Sequence, residues 1–299
     1  VTTAGSLTVR AGFGAGRLEH VEVDLRRPPV TQLFIGQSPE AVIRTVPCLY
    51  TICAQAQGAA ALAALAAAAG EAPQPADDAG LWIEMLHESL WRLLLDWPPA
   101  LGLPPDQAAF IAWRATRQGG GCAESTTRLL ADVLHRLAEI CLARLVDRGS
   151  DASCAPPGPL PGEWLAGWQE DGDFLPATGA PPSIRAAYRG RIAAVERAAA
   201  ALAGGAPYPL TAVGGNGWGV AQAVTARGVL THAVRLDAGA VSHYRVVAPT
   251  DVLFADSSAL CGLLADRRFA SPDEAKRWLH LAVLALDPCL PHVLEVSDA

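Results

Sequence analysis

No stretch of this sequence carries more than two lysines or arginines in succession, and the net charge is −7 with a pI near 5.5. A nucleic-acid-binding surface is therefore not expected. Nor is a disulfide framework: the seven cysteines, at positions 48, 53, 122, 141, 154, 261 and 289, are odd in number and irregular in spacing. A reducing cytoplasm suits them better. No charged segment opens the chain, so no signal peptide is visible, and the first residue is Val1 rather than Met, which suggests processing or trimming. There is no internal repeat. There is also no second paired Cys or His motif that would complete a four-ligand zinc site with Cys289 and His292.

Charge is missing altogether from Thr45 to Gly70, a stretch long enough to span a bilayer. It is mostly alanine, and Pro47, Gln55, Gln57 and Gly58 interrupt it. Alanine contributes little to insertion, so a buried helix is expected and no membrane insertion.

What is present is a 299-residue chain with 51% apolar residues, enough for a sizeable core. Leu18, Val21, Val23 and Leu25 alternate with acidic residues and read as a half-buried strand, with residues 31–35 as its candidate partner. Ser38-Pro39 starts a short helix, with Ser as cap and Pro at the first position. Helical spacing then predicts helices over 53–69, 80–96 (with an i,i+4 pair Glu88/Arg92), 105–117, 123–147 and 183–203. Residues 149–182, rich in Pro, Gly and Asp, read as a long flexible surface connection. Gly214–Gly219 is turn-rich, and no strand-to-helix pattern makes it a nucleotide fingerprint. Residues 229–236 and 241–247 form a predicted hairpin, and Ser271-Pro272-Asp273-Glu274 caps a helix running to about Leu286. The expected fold is mixed α+β: one domain over 1–299, with a helical bundle packed on a small, mainly antiparallel sheet.

Two segments carry chemistry. Cys53 opens a predicted helix, where the positive end of the dipole favours thiolate, the form that binds metal. Cys289-x-x-His292 offers a thiolate and an imidazole at chelating spacing, a pair suited to zinc, iron, nickel or copper. Taken singly, Cys53 also reads as a core cysteine, and the Cys/His pair as incidental.

Taken together, the segments resemble the two metal-binding ends of a [NiFe]-hydrogenase large subunit, R-x-C-G-x-C-x-x-x-H and D-P-C-x-x-C-x-x-H. Asp287-Pro288-Cys289 matches the start of the second motif, where His292 takes the place of the second cysteine and Glu295 that of the final histidine. In the first motif Cys53 matches the second cysteine, while Tyr50 replaces the first and Gln57 the histidine. Three more segments are similar in the same order: Gly16–Asp24, Thr225–His232 with its Ala226-Arg227-Gly228, and Tyr244–Thr250 with its Pro249-Thr250. In the large subunits four cysteines hold nickel, and the second of each pair also bridges to an iron bearing two cyanides and one carbon monoxide. On that correspondence the nickel-only positions are Tyr50 and Cys289, and the iron positions are Cys53 and His292. The resemblance implies that Arg227, Pro249 and Thr250 surround the cyanides, and that Cys53 with either Cys289 or His292 binds iron. Usual large subunits are much longer, and their precursors carry a C-terminal extension, whereas this sequence stops at Ala299. These traits resemble the HupK/HoxV type of hydrogenase assembly protein. They imply a non-catalytic scaffold for the Fe(CN)2(CO) unit, without nickel, whose partners are the hydrogenase large-subunit precursor and the iron-cofactor maturation proteins. Two other readings remain: a metal-free mimic that recruits maturation partners, and a divergent hydrogenase-like oxidoreductase.

Overall fold

The structure, a computed structural model, describes residues 5–145, 159–172 and 179–298. The chain begins with a hairpin of β1 (Ser6–Gly14) and β2 (Arg17–Arg26), closed by Ala15-Gly16 with both φ angles positive. That geometry matches the twist of tight hairpins. α1 (Pro39–Leu49) and the alanine-rich α2 (Ala54–Ala69) follow. α3 (Asp78–Trp91) runs through a π-helical turn at Arg92–Asp96 into α4 (Trp97–Ala100). α5 (Gln107–Arg114) and α6 (Cys122–Leu129) come next, and a second π turn at Leu130–Leu134 joins α6 to α7 (His135–Arg144). Then come α8 (Pro161–Glu170) and α9 (Ile184–Gly204). β3 (Leu210–Gly215), β4 (Trp218–Thr225), β5 (Gly228–Asp237) and β6 (Ala240–Val247) form a meander. α10 (Pro249–Leu253), α11 (Ser258–Leu264), α12 (Pro272–Leu286) and β7 (His292–Asp298) complete the described chain.

Two sheets replace the single one expected. One has the order β2-β1-β7, with β7 parallel to β1 and Leu7 opposite His292; the other is the antiparallel β3-β4-β5-β6. The partner of β2 is β1, not residues 31–35, which lie mostly in a 3-10 turn with only Phe34 buried. Leu7, Val9 and Ala11 supply the buried face of β1. Gly214–Gly219 turns out to hold the β3/β4 hairpin around Asn216-Gly217. Within 149–182, residues 161–170 form α8, whose Trp164 and Trp168 pack on the second sheet; residues 149–158 and 173–178 lie outside the described residues.

α2 is buried along much of its circumference, as its composition predicts, and it lies directly on the second sheet. A Cβ at Gly219 would sit 2.0 Å from the Ala64 carbonyl oxygen. Small residues on both sides let helix and strand backbones touch. No helix among the described residues is long and apolar enough to cross a membrane. The main core lies between α3, α4, α9 and α12, where Leu86, Leu90, Leu93, Leu94 and Trp97 are fully buried. The expected caps form: the Ser38 and Ser271 hydroxyls accept from Ala41 N and Glu274 N. The Glu274 carboxylate accepts from Ala270 N, one residue before the cap.

Candidate functional site

Pairing β7 with β1 draws the tail of the chain beside its beginning. Cys53 is the N-cap residue of α2, and Cys289 lies in the short connection between α12 and β7. Both line one cavity of about 350 Å³, together with Tyr50, Gln57, Arg27 and Asp251. The two segments that the sequence pairs across some 235 residues therefore meet in one pocket.

Cys289 is held by donors. Arg27 Nη2 donates to its sulfur at 3.2 Å and Thr250 Oγ1 at 3.3 Å, while Cys289 N donates back to Thr250 Oγ1 at 3.2 Å. Arg27 is fixed by an ion pair to Asp251, whose other oxygen accepts from Ala248 N at 2.8 Å and so caps α10. Burial works against the Arg27 charge, but Cys289 and Asp251 raise its pKa overall. Hydrogen bonds from a cation and a hydroxyl fix the place of the sulfur they reach.

Cys53 differs. The expected help from the helix dipole does not arrive, because Glu84 occupies the N-terminus of α2. Its two oxygens accept from Gln55 N at 2.8 Å and Ala56 N at 2.9 Å, and the Cys53 side chain makes no cap bond. Burial, the neighbouring Cys289 and the Glu84 carboxylate push the Cys53 thiol up to about 12. Gln57 Nε2, 3.6 Å from the sulfur, and Arg227 pull the other way. A metal cation bound at the Cys53 sulfur would offset the burial that keeps this thiol protonated.

Behind the cavity is a knot of buried charge. α12 ends at Asp287 in the left-handed conformation, φ 48°, with the side chain 1% exposed. Its carboxylate meets Arg92 at 2.5 Å, Arg191 at 2.8 Å and Arg227 at 3.3 Å. Burial opposes its charge, yet Arg191, Arg227 and Arg92 hold its pKa down to about 2. Arg92 also donates to Pro288 O at 2.9 Å, so the π turn that carries Arg92 fixes the backbone next to Cys289. The predicted i,i+4 pair Glu88/Arg92 is replaced by these longer-range contacts, and Glu88 instead binds Arg227 at 3.0 Å.

Of the cofactor residues implied by the resemblance, Thr250 is buried and bonded to Cys289. Pro249 is buried against Gly228. Arg227 lines a second cavity, of about 310 Å³, and its charge acts on both cysteines. His292 does not join them. After buried Leu290 and Pro291 the chain becomes extended, and His292 and Leu294, on the same face of β7, line a third cavity opposite His280. The His280 and His292 rings lie 6.1 Å apart, beside Lys276 and Arg277. In this structure His292 and Cys53 thus line different cavities, while Cys289 shares the cavity of Cys53.

Cys48 is exposed and turned toward the Arg44 carbonyl of its own helix, Cys122 and Cys141 are buried, Cys261 is exposed, and Cys154 lies outside the described residues. Glu19 is exposed on β2, and His135 is exposed and bonded to Glu196. Among the described residues no cluster of three or more His, Cys, Asp or Glu could hold a metal ion. Sequence reasoning missed Arg27, Asp251 and Glu84. Arg26-Arg27-Pro28-Pro29 at the end of a strand marks a turn, but nothing in it points to Cys289, 262 residues away.

No family model matches the chain. It is 30% identical to the hydrogenase expression/formation protein HupV of Azotobacter chroococcum mcd 1, over 99% of this chain and 100% of the relative. It is also 30% identical to the protein of the same description, HupK, of Azotobacter vinelandii, with the same coverage. HoxV of Cupriavidus necator is 24% identical over 100% of this chain and 98% of its own length. In fold, the chain is similar to the reduced Ni-Fe-Se hydrogenase of D. vulgaris Hildenborough, with TM-score 0.61, 10% identity, and coverage of 93% of this chain and 94% of that one. A NAD+-reducing [NiFe]-hydrogenase gives TM-score 0.51 at 13% identity over 92% and 93%. The chain thus has the fold of a hydrogenase large subunit and belongs to the HupK/HupV family of hydrogenase expression/formation proteins.

Proposed function

We propose that this protein is a non-catalytic assembly scaffold in [NiFe]-hydrogenase maturation, one that holds the Fe(CN)2(CO) unit on Cys53 and Cys289 and passes it to the large-subunit precursor. The observation that carries this reading is the single cavity lined by one thiol from each end of the chain. A bare metal ion would be poorly served by two thiols with no third donor clustered beside them among the described residues. An iron that already carries three diatomic ligands needs few protein bonds, and two thiols suit such a cargo. Tyr50, which lines the same cavity where the resemblance expects a third thiolate, keeps its phenol protonated, its pKa pushed up by burial to about 12. That disfavours a nickel site and redox catalysis.

In this reading the protein binds the cargo through Cys53 and Cys289, with Arg27 and Thr250 donating to the Cys289 sulfur. Arg227, whose charge reaches both cysteines, and Pro249, next to Thr250, are the residues from which the resemblance expects contacts to cyanide, although Arg227 lines the second cavity. The iron-cofactor maturation proteins supply the unit, and the precursor, with more thiolates, draws it away. The test is infrared spectroscopy of protein purified without oxygen from cells with an active iron-cofactor pathway. CO and CN stretching bands are expected in the wild type and absent from C53S/C289S; a wild type without bands refutes the carrier. One observation favours a second reading, a metal-free mimic: among the described residues no cluster of three or more donors forms. A mimic would support maturation equally well as C53S/C289S.

A further inference from the structure

Gln57 lies one helical turn after Cys53 and is 2% exposed. A buried primary amide needs partners for both ends. Gln57 Oε1 lies 2.7 Å from His232 Nε2, and His232 Nδ1 lies 2.8 Å from the Tyr244 hydroxyl. His232 is fully buried, and burial lowers its pKa to about 3, so the ring is neutral with one donor and one acceptor. Tyr244 is buried and keeps its proton. One directional chain satisfies every atom: Tyr244 O–H donates to His232 Nδ1, His232 Nε2–H donates to Gln57 Oε1, and Gln57 Nε2–H is left for the Cys53 sulfur 3.6 Å away. Three elements contribute, since His232 is on β5, Tyr244 on β6 and Gln57 on α2.

We infer that Gln57 is a positioning residue for the cargo, donating a hydrogen bond to the Cys53 sulfur, and that His232 and Tyr244 lock its amide in the donating orientation. The inference rests on the reading of Cys53 as a cargo ligand. Glu84 removes the help a helix N-terminus would give that sulfur, which leaves the Gln57 amide as its local hydrogen-bond donor. Donors to a ligating sulfur orient it and draw electron density from the metal. Such a change at the iron is reported by the stretching frequencies of its CO and CN ligands.

Three variants and one direct measurement test this. Q57E keeps the acceptor for His232 and the side-chain volume but removes the donor; Q57L removes both without adding charge. Y244F removes only the far end of the chain and leaves the cavity lining intact. Both Gln57 variants should shift the CO and CN bands together and lose the cargo roughly tenfold faster than wild type. Y244F should shift the bands the same way by a smaller amount. Unmoved bands in Q57E and Q57L overturn the inference while leaving the carrier standing. A wild type without bands refutes the carrier instead, and the chain is then judged on cargo-free protein. Nitrogen-15 NMR of His232 should show Nε2 protonated and Nδ1 bare; the opposite tautomer would turn the Gln57 oxygen toward Cys53 and overturn the inference.

Discussion

Replacing Asp287 with Asn tests the charge knot that sets the position of Cys289. Asn tolerates the left-handed backbone found there, φ 48°, so the substitution removes charge with little backbone strain. In the folded protein the Asp287 pKa is about 2 against an ordinary 3.8, a difference worth about 2 kcal/mol of stability at neutral pH. Because the folded value lies below the unfolded one, that stabilisation is complete above about pH 3.8, fades as the pH falls, and is gone below about 2. D287N also leaves Arg191, 9% exposed, without the carboxylate it meets among the described residues, which adds to the loss. Urea denaturation at pH 7 should therefore show D287N destabilised by about 2–4 kcal/mol. Adding R191M should recover part of the deficit by removing the orphaned cation. A loss below about 0.5 kcal/mol, within the range of ordinary surface substitutions, would mean that the three arginines do not depend on this carboxylate.

Glu84→Gln should bring the Cys53 thiol below its present value of about 12, since Glu84 helps raise it. Mass-spectrometric alkylation of the Cys53 peptide at fixed alkaline pH should then run faster than in wild type, and an unchanged rate would exonerate Glu84. Gly219→Ala drives a methyl to 2.0 Å from Ala64 O and should cost about 3 kcal/mol, read as a lower urea midpoint; a stable variant would mean that α2 can lift from the sheet. His232, depressed to about 3, stabilises the fold above the ordinary histidine pKa of 6.5 and loses that contribution as the pH drops toward 3. Over that window the wild type should lose up to about 1.4 kcal/mol per pH unit more than H232N does; parallel curves for the two proteins would contradict it.

The parts of this molecule that were legible in the sequence are those encoded locally. The alanine run of α2, the Ser38 and Ser271 caps and the Ala238-Gly239 hairpin turn all fall where spacing and turn chemistry place them. β1 has no counterpart among the elements read from the sequence. In β2, Glu19 and His20 are both exposed and His20 has φ 49°, so an irregularity resets the alternation that began at Leu18. At the site, Cys53 and Cys289, paired by motif order, line one cavity, whereas His292, three residues after Cys289, lines another. A spacing of three residues brings two side chains together on a helix, whereas here Pro291 and the start of β7 turn them apart. Arg27, Glu84 and Asp251 could not be read from the sequence, because each acts through a contact with residues far along the chain or at a helix end defined only once the fold is formed.

Under the proposed function, the two sulfurs should hold the cargo unequally. Taking the iron as ferrous, Fe(CN)2(CO) is neutral, and binding through two thiolates adds two negative charges to a largely buried cavity. Arg27 and Thr250 offset the charge on Cys289 directly. Cys53 receives one long amide contact and sits near the Glu84 carboxylate, which opposes it. The Cys53 bond is thus the one that a proton, or a thiolate of the receiving precursor, displaces first, and the Cys289 bond is the anchor. Single substitutions separate the two roles. C53S should keep a reduced infrared signal with shifted bands and lose it quickly on dilution, whereas C289S should lose it outright. Equal retention in the two variants would show that the donor asymmetry around the sulfurs does not govern how the cargo is held.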